Sequence, residues 1–363
     1  MVSRPAPQEG YGLVNLPFSR LASSVKRLLI RPLLVLAIVC GVVALGVVLS
    51  FPALLAVSIQ RDQNQAIATI PEQFPVTVNP RAKTIVENVE VNAFLEGADS
   101  PLQATALTAG SMFGYLFTWI ATAIADAPWY QSIAAVNGRF VTITSGMRKE
   151  QVASAFASTL AWNKNQKQEF VTAKNDALLP LPEGSFSPGT YFVSSRTTPA
   201  AAQTLVNDRF TREVLSRYGT TTAAVVPLAQ ALTVASLIER ETGGPDDMRL
   251  ISGIIWNRLF LNMNLQIDAT LQYVKASNTV VGNWWPGVVP ADRYRKSVYN
   301  TYLHSGLPPT PIASPSVAAI IAALNPKNTP CIYYFHDRAG GFHCTTTYAE
   351  HVALLKKYYG RGK

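Results

Sequence analysis

Two glutamates, Glu239 and Glu241, lie in the stretch "ASLIERETG", at the end of a mostly apolar segment and just before Gly243, Gly244 and Pro245. A carboxyl group can give a proton to a leaving oxygen and take one back. Whether either glutamate is placed to do so depends on the helix that carries it. Pro227 suits the first helical position, where its missing N–H costs nothing. The glycine pair and Pro245 then stop the helix. At about 100° per residue, Glu239 falls within about 40° of Leu228, Leu232 and Ala235 and extends their apolar stripe. Glu241 falls about 200° further round and reads as a solvated surface charge. Partial burial and the negative end of the helix both disfavour an ionised Glu239, which suits a general acid. The same position also suits a plainer role, an ion pair with Arg249 or Arg258 at the edge of a core. Because the two glutamates diverge, they cannot be the facing carboxylates of an ordinary glycosidase. A second carboxylate would have to come from elsewhere, and Asp268 in "LQIDATLQY" is the obvious source.

The elements that must position these groups sit in a chain of 363 residues, long enough for two modest domains. Hydrophobic residues make up 48% and charged residues only 15%, so a membrane segment is expected. Residues 32–60 carry no charge and are long enough to cross a bilayer. A signal peptide would have a shorter apolar region and a small-residue cleavage site, so the segment reads as a retained anchor over 32–59. Arg4, Arg20, Lys26, Arg27 and Arg31 precede it, whereas Arg61 and Asp62 cancel after it. The positive-inside rule puts the basic tail, residues 1–31, in the cytoplasm and the rest outside. The net charge of +9 suits an anionic envelope surface. Nucleic acid is not implied, because no nucleic-acid-binding motif accompanies the charge.

Residues 60–136 read as a linker with some strand in "PVTVNP" and a helix around Thr84 to Leu95. Within it, 101–125 is again uncharged. Its strongly apolar part is short for a crossing, and a buried or membrane-surface helix is expected. From Gly138 the pattern turns globular. "RFVTITSGM" reads as a strand and turn, and Val152, Phe156 and Leu160 then mark a helix face. "LPEGSFSPGTYFVSS" reads as a loop leading into a strand, and "TTPAAAQTLVNDRFTREVLSRY" as an amphipathic helix. Cys40 lies inside the apolar span, away from Cys331 and Cys344. Those two flank a hairpin, so a disulfide is conceivable, but simple pairing across the Asp337–Phe342 loop sets Cys344 opposite Phe335. His336, His343, Cys344 and His351 lack the close ligand spacing of a zinc framework, and no metal is expected.

Four blocks occur in order from about residue 233 to residue 351: "ASLIERETG", "IWNRLFLNMNLQIDATLQY", "YNTYLHSGLPPTPIASP" and "ALNPKNTPCIYYFHDRAGGFHCTTTYAEH". In these the chain resembles the endolytic murein transglycosylase family (YceG-like, MltG-type). Upstream, "EGSFSPGTY" is similar to a loop of that family, and residues 138–170 resemble its LysM-like module. The resemblance implies an α+β fold. It divides the chain into the membrane helix, a LysM-like module over 137–178 and a catalytic domain over 179–360.

It further implies cleavage inside peptidoglycan glycan strands, leaving 1,6-anhydromuramyl ends, with no cofactor. Glu239 falls on the family's catalytic glutamate. One group can then serve as acid and base, because the muramyl 6-hydroxyl attacks its own anomeric carbon. Asn257, Gln266, Asp268 and Asn300 are candidates to bond sugar hydroxyls, or else to hold turns. Tyr299 and Tyr302 are candidates to stack on sugars, or else to pack in the core. Trp284 and Trp285 lie in a long loop and suit a subsite. Implied partners are glycan strands, membrane lipid through the anchor, and membrane-bound cell-wall synthases. Ser185 replaces a bulky aromatic usual in the family, and 101–125 has no counterpart there. The competing readings are a non-catalytic wall-binding scaffold and a two-carboxylate muramidase that uses Asp268 and water.

Overall fold

Ala231 to Ile238 are buried without a break, so the helix that ends in the two glutamates is enclosed on every side over two turns. This is helix α6 (Leu228–Glu241) in a computed structural model that describes residues 73–96, 138–172, 182–277 and 283–360. The expected tail and membrane span, and the apolar segment 101–125, lie outside the described residues. Among the described residues no helix is long and apolar enough to cross a membrane.

The described chain is mixed α and β. It opens with a short hairpin, β1 (Val78–Asn79) and β2 (Thr84–Ile85), and helix α1 (Val89–Glu96). Next come β3 (Gly138–Ile143), α2 (Lys149–Leu160), α3 (Lys164–Thr172), β4 (Gly189–Ser194) and α4 (Pro199–Glu213). The helical body follows: α5 (Thr220–Val225), α6, α7 (Met248–Phe260), α8 (Asp268–Ser277) and α9 (Val317–Leu324). A hairpin, β5 (Tyr333–His336) and β6 (Phe342–Thr345), and helix α10 (Tyr348–Tyr359) close it.

Two cores organise these elements. The smaller belongs to a β–α–α–β unit. β3 pairs antiparallel with β4, from Gly138 opposite Ser194 to Ile143 opposite Gly189. Phe156 is its fully buried centre, ringed by Trp162, Phe170 and Tyr191 with centroids 5.1 to 6.2 Å away. Ala202 and Val206 of α4 join the same core. The unit therefore runs past residue 178, because β3 has no sheet partner until β4.

The larger core forms around α6, buried all round over residues 231–238, and α9, apolar all round, which pack together. Two of the polar side chains inside it serve backbone carbonyls. The Trp256 indole donates to Ala323 O at 2.9 Å, and the Arg249 guanidinium to Asn325 O at 2.9 Å. Residues 73–96, read as part of a linker, send Phe74, Val78 and Leu95 into this core. Asn325 holds them there by donating to Pro75 O at 2.7 Å.

The closing hairpin corrects the cysteine register. Cys344 stands opposite Tyr334, one step from the simple pairing, and Cys331 and Cys344 are joined in a disulfide with their Cα atoms 5.8 Å apart. Ile332 N–H donates to Thr345 O at 3.0 Å, which draws the lead-in to β5 back across β6 and brings Cys331 into reach. The bond closes a loop across a separation of 13 residues. Reducing it is expected to lower unfolding stability by about 3 kcal/mol, read as a lower urea midpoint in reductant and in Cys331→Ser. An unchanged midpoint would mean that the ladder and its aromatic packing hold the hairpin unaided.

Candidate functional site

Glu239 is half-buried on the last turn of α6, where the helix leaves the core. Its Oε2 accepts two hydrogen bonds from one residue, Ser316: backbone N–H at 2.9 Å and hydroxyl at 2.7 Å. Ser316 is the N-cap of α9, and its Oγ also accepts from Ala319 N–H at 3.1 Å. The carboxylate thus lies at the C-terminal end of one helix and against the N-terminal donors of the next. Its other oxygen, Oε1, makes no hydrogen bond among the described residues. The alternative ion pairs are not formed. Arg249 serves Asn325 O, and Arg258 donates to the carbonyls of Ile332 and Leu265.

A loop holds Ser316 in place. Ser236 Oγ, inside α6, accepts from Ile312 N–H at 3.1 Å. Two residues on, the loop pairs with the turn after β3. Ser314 N–H donates to Met147 O, and Gly146 N–H to Ser314 O, both at 2.8 Å. Gly146 has φ +78, and a Cβ there would meet Arg240 Nη1 at 3.0 Å and Glu239 Cγ at 3.9 Å. The turn after β3 in the β–α–α–β unit therefore packs directly against Glu239 and Arg240. The Arg240 guanidinium lies 4.0 Å from the Trp285 ring centroid. Trp285 in turn donates its indole N–H to Gln151 of α2 at 3.1 Å. Trp284 lies 5.4 Å from the Arg148 guanidinium, which also covers Tyr273 at 4.0 Å.

Glu241 is not a solvated charge. Tyr334 donates its hydroxyl to Glu241 Oε2 at 2.9 Å, and the carboxyl end is enclosed between β5 and the start of α8. Burial pushes its pKa up to about 7, with the Asp268 carboxylate adding to the rise and the Tyr334 and Ala269 donors opposing it. The reason is tertiary: β5 and α8 close over a helix face that the 3.6-residue period alone assigns to solvent.

The expected sugar-binding residues separate into three groups. Gln266, Asp268 and Tyr302 gather on the Glu241 side. Gln266 is exposed in a left-handed conformation, φ +52, and the Tyr302 hydroxyl donates to Asp268 Oδ1 at 2.6 Å. Trp284 and Trp285 lie on the Glu239 side. Asn257, Tyr299 and Asn300 hold turns. Asn257 donates to Thr329 O and Cys331 O, at 2.7 and 3.0 Å. Asn300 is fully buried, donates to the carbonyls of Arg293 and Arg295, and accepts from Tyr302 N–H. Tyr299 packs on Tyr273 with centroids 5.0 Å apart, and its hydroxyl meets Thr310 Oγ1. The three histidines of the closing hairpin and helix are engaged separately: His336 with Asp247 at 2.5 Å, His343 with Asp337 at 2.7 Å, and His351 against the Tyr333 ring.

Sequence reasoning missed Ser316, Gly146, Arg240 and Gln151. A serine before the apolar run "VAAIIAAL" is a readable N-cap signal. Its second role, as donor to a carboxylate 77 residues earlier, left no local trace. Ser316→Ala removes the hydroxyl donor and leaves the N–H donor. The expected result is about a tenfold loss of any activity that needs an oriented Glu239, from a net hydrogen-bond contribution of about 1–1.5 kcal/mol. A steady-state rate on the substrate named below checks it.

Residues 119–357 match the model of the YceG-like family. Over 239 residues the chain is 30% identical to an endolytic murein transglycosylase of Bacillus subtilis (strain 168), covering 60% of this chain and 64% of that protein. A protein of the same name from Streptococcus pneumoniae serotype 2 (strain D39 / NCTC 7466) is 26% identical over 254 residues, covering 68% of this chain and 43% of its own. The chain thus spans less than two thirds of the length of these curated relatives. The crystal structure of a yceG-like protein from Listeria monocytogenes superposes with a TM-score of 0.51 at 23% identity, over 59% of this chain and 75% of that one. That is a likeness of fold.

Proposed function

The chain belongs to the YceG-like family, and from that premise we propose that it is an endolytic peptidoglycan transglycosylase with Glu239 as its acid and base. One observation carries the reading. Glu239 has one oxygen held by both donors of Ser316, while the expected second carboxylate, Asp268, adjoins Glu241. A single carboxyl suits a reaction that needs no activated water. Glu239 protonates the glycosidic oxygen between N-acetylmuramic acid and the next N-acetylglucosamine, and the bond from C1 to that oxygen breaks. The muramyl O6 bonds to C1 on the same sugar, and its proton goes to Glu239. No water is consumed, and the carboxyl ends as it began. Trp285 and Trp284 suit the sugar faces beside the scissile bond.

The rest of the reading is also ours. The β–α–α–β unit is proposed as a LysM-like module that guides the strand, which its strand and helix order supports. Residues 32–59 are proposed to anchor the chain in the cell membrane as a single pass, with residues 1–31 cytoplasmic and the catalytic body outside. The Cys331–Cys344 disulfide supports an oxidising compartment. Membrane-bound cell-wall synthases, which would supply nascent strands, are proposed as partners.

Mass spectrometry of the products tests the reaction. The full-length chain is incubated with un-crosslinked glycan strands. New 1,6-anhydromuramyl ends, absent with Glu239→Gln, are expected. Reducing ends would make the enzyme a hydrolase and bring Asp268 back as a candidate. Binding without cleavage would favour a scaffold.

A further inference from the structure

Past α8 the surface of the catalytic body changes character. Val289, Tyr294 and Val298 are exposed at 51, 79 and 65%. Single exposed apolar residues need no explanation, whereas several in one loop mark a surface that meets something. The same loop exposes Arg293 and Lys296, which have no acid partner among the described residues. Asp292 is the only acid from residue 283 to residue 304, and it is turned inward, 4% exposed. It accepts from Val289 N–H and Lys275 Nζ, both at 2.9 Å, and from Arg295 Nη2 at 3.1 Å. Asp292 and Arg295 thus form the inner row of a short 3-10 helix, Pro290–Tyr294, and its cap, where residues three apart eclipse. The other two rows, Pro290 with Arg293 and Ala291 with Tyr294, are exposed. Buried Asn300 fixes the loop from beneath through the carbonyls of Arg293 and Arg295. The loop is tied down from inside and shows solvent an apolar, aromatic and cationic face with no negative charge of its own.

We infer that this face, Val289 to Val298, docks on an anionic phospholipid bilayer, with Val289, Tyr294 and Val298 entering the headgroup boundary and Arg293 and Lys296 meeting lipid phosphates. Aromatic and aliphatic side chains mixed with Lys and Arg fit that boundary, and clustered cations are drawn to anionic headgroups. The inference rests on the reading of residues 32–59 as a membrane anchor. On that reading residues 60–72 are the tether between the bilayer and the first described residue, at most about 45 Å long when fully extended. The catalytic body then stays close to the lipid, and docking decides which of its sides faces it.

The probe is an environment-sensitive fluorophore on Val298→Cys in the full-length chain. Cys40→Ser removes the other free thiol, since Cys331 and Cys344 are bonded to each other. Val89→Cys, exposed outside the loop, carries the same label as the control. Each is reconstituted in vesicles of phosphatidylcholine alone and of phosphatidylcholine with about a third phosphatidylglycerol. On the anionic vesicles the label at 298 is expected to brighten at least about twofold, with the gain falling as salt rises, and the label at 89 to stay unchanged. Lys296→Glu is expected to remove at least about half of the gain. Equal responses at 298 and 89, equal gains on the two kinds of vesicle, or a gain that ignores both salt and Lys296→Glu would overturn the inference. So would the same gain without lipid, whether from a second copy of the chain on this face or from added glycan strands. Flotation with the neutral vesicles reads the anchor by itself. If the chain fails to float there, the anchor reading falls, and the label at 298 still reads docking when anionic vesicles are added. No gain in that case would overturn docking as well.

Discussion

Glu239→Gln is expected to slow glycan cleavage by at least about 10³-fold, the upper range for loss of a general acid–base group, and to shift the melting temperature by less than about 3 °C. The two parts follow from the same contacts. Glutamine is nearly isosteric, and its carbonyl oxygen can still accept from Ser316 N–H and Oγ, so the junction of α6 and α9 survives. What is lost is the proton, which an amide neither gives nor takes. Glu241→Gln and Asp268→Asn are the discriminating controls. Glu241 is bonded to Tyr334, and Asp268 to Tyr302, both away from Ser316. Each should retain more than about a thirtieth of the wild-type rate, since each loses at most a hydrogen bond or two of about 1 kcal/mol net. If Glu241→Gln were inactive and Glu239→Gln active, the assignment would pass to the enclosed carboxyl beside β5.

The contrast between these two glutamates shows how far the sequence could be read. The helical period correctly separated them onto different faces, because periodicity is local physics. It failed to say what each face meets, since that depends on chain segments far away. Ser316 lies 77 residues from Glu239, and Tyr334 lies 93 from Glu241. Neither separation carries a pattern. The β–α–α–β unit was legible element by element: its strand, its Val152 and Phe156 stripe, and the loop into β4 all fall where alternation and turn residues put them. Its boundary was not, because two strands about fifty residues apart must be paired to see that α4 shares the same core.

The polar candidates show a complementary limit. Asn257 and Asn300 sit inside the family-like blocks, yet their amides serve backbone carbonyls. A buried backbone carbonyl needs a donor as much as a sugar hydroxyl does, and residue type alone does not separate the two. The disulfide is similar. Pairing arithmetic argued against it, and a single backbone bond, Ile332 to Thr345, brings the cysteines together.

Glu183→Gln is expected to raise stability by a few kcal/mol above about pH 8 and to change it little below about pH 4.5. Glu183 is 5% exposed where the loop before β4 meets the first turn of α2. One of its oxygens accepts from Lys149 N–H at 3.0 Å, and the other, Oε2, is buried with no partner among the described residues. Gly184, next to it, has φ +91, and a Cβ there would lie 2.7 Å from Pro311, so the loop is clamped and cannot swing the carboxyl out. Burial pushes the pKa from 4.5 up to about 8, with the Glu150 charge adding to it, while Lys149 N–H and the Arg148 and Lys149 charges oppose. The folded state therefore holds this proton more tightly than the unfolded chain. The resulting stabilisation is full below about pH 4.5 and is lost as pH rises to about 8. Glutamine keeps the acceptor for Lys149, adds an N–H in place of the unpartnered oxygen, and has no charge to bury. Urea midpoints of both proteins across this range read the difference directly, because every other titrating group is common to both. A difference that stayed flat with pH would show that Glu183 meets solvent or a cation in solution. A growing one would make the clamp between α2 and the Pro311 loop, which also positions Ser314 and Ser316, a joint that loosens at alkaline pH. Cleavage should then fall at high pH in the wild type before it falls in the variant.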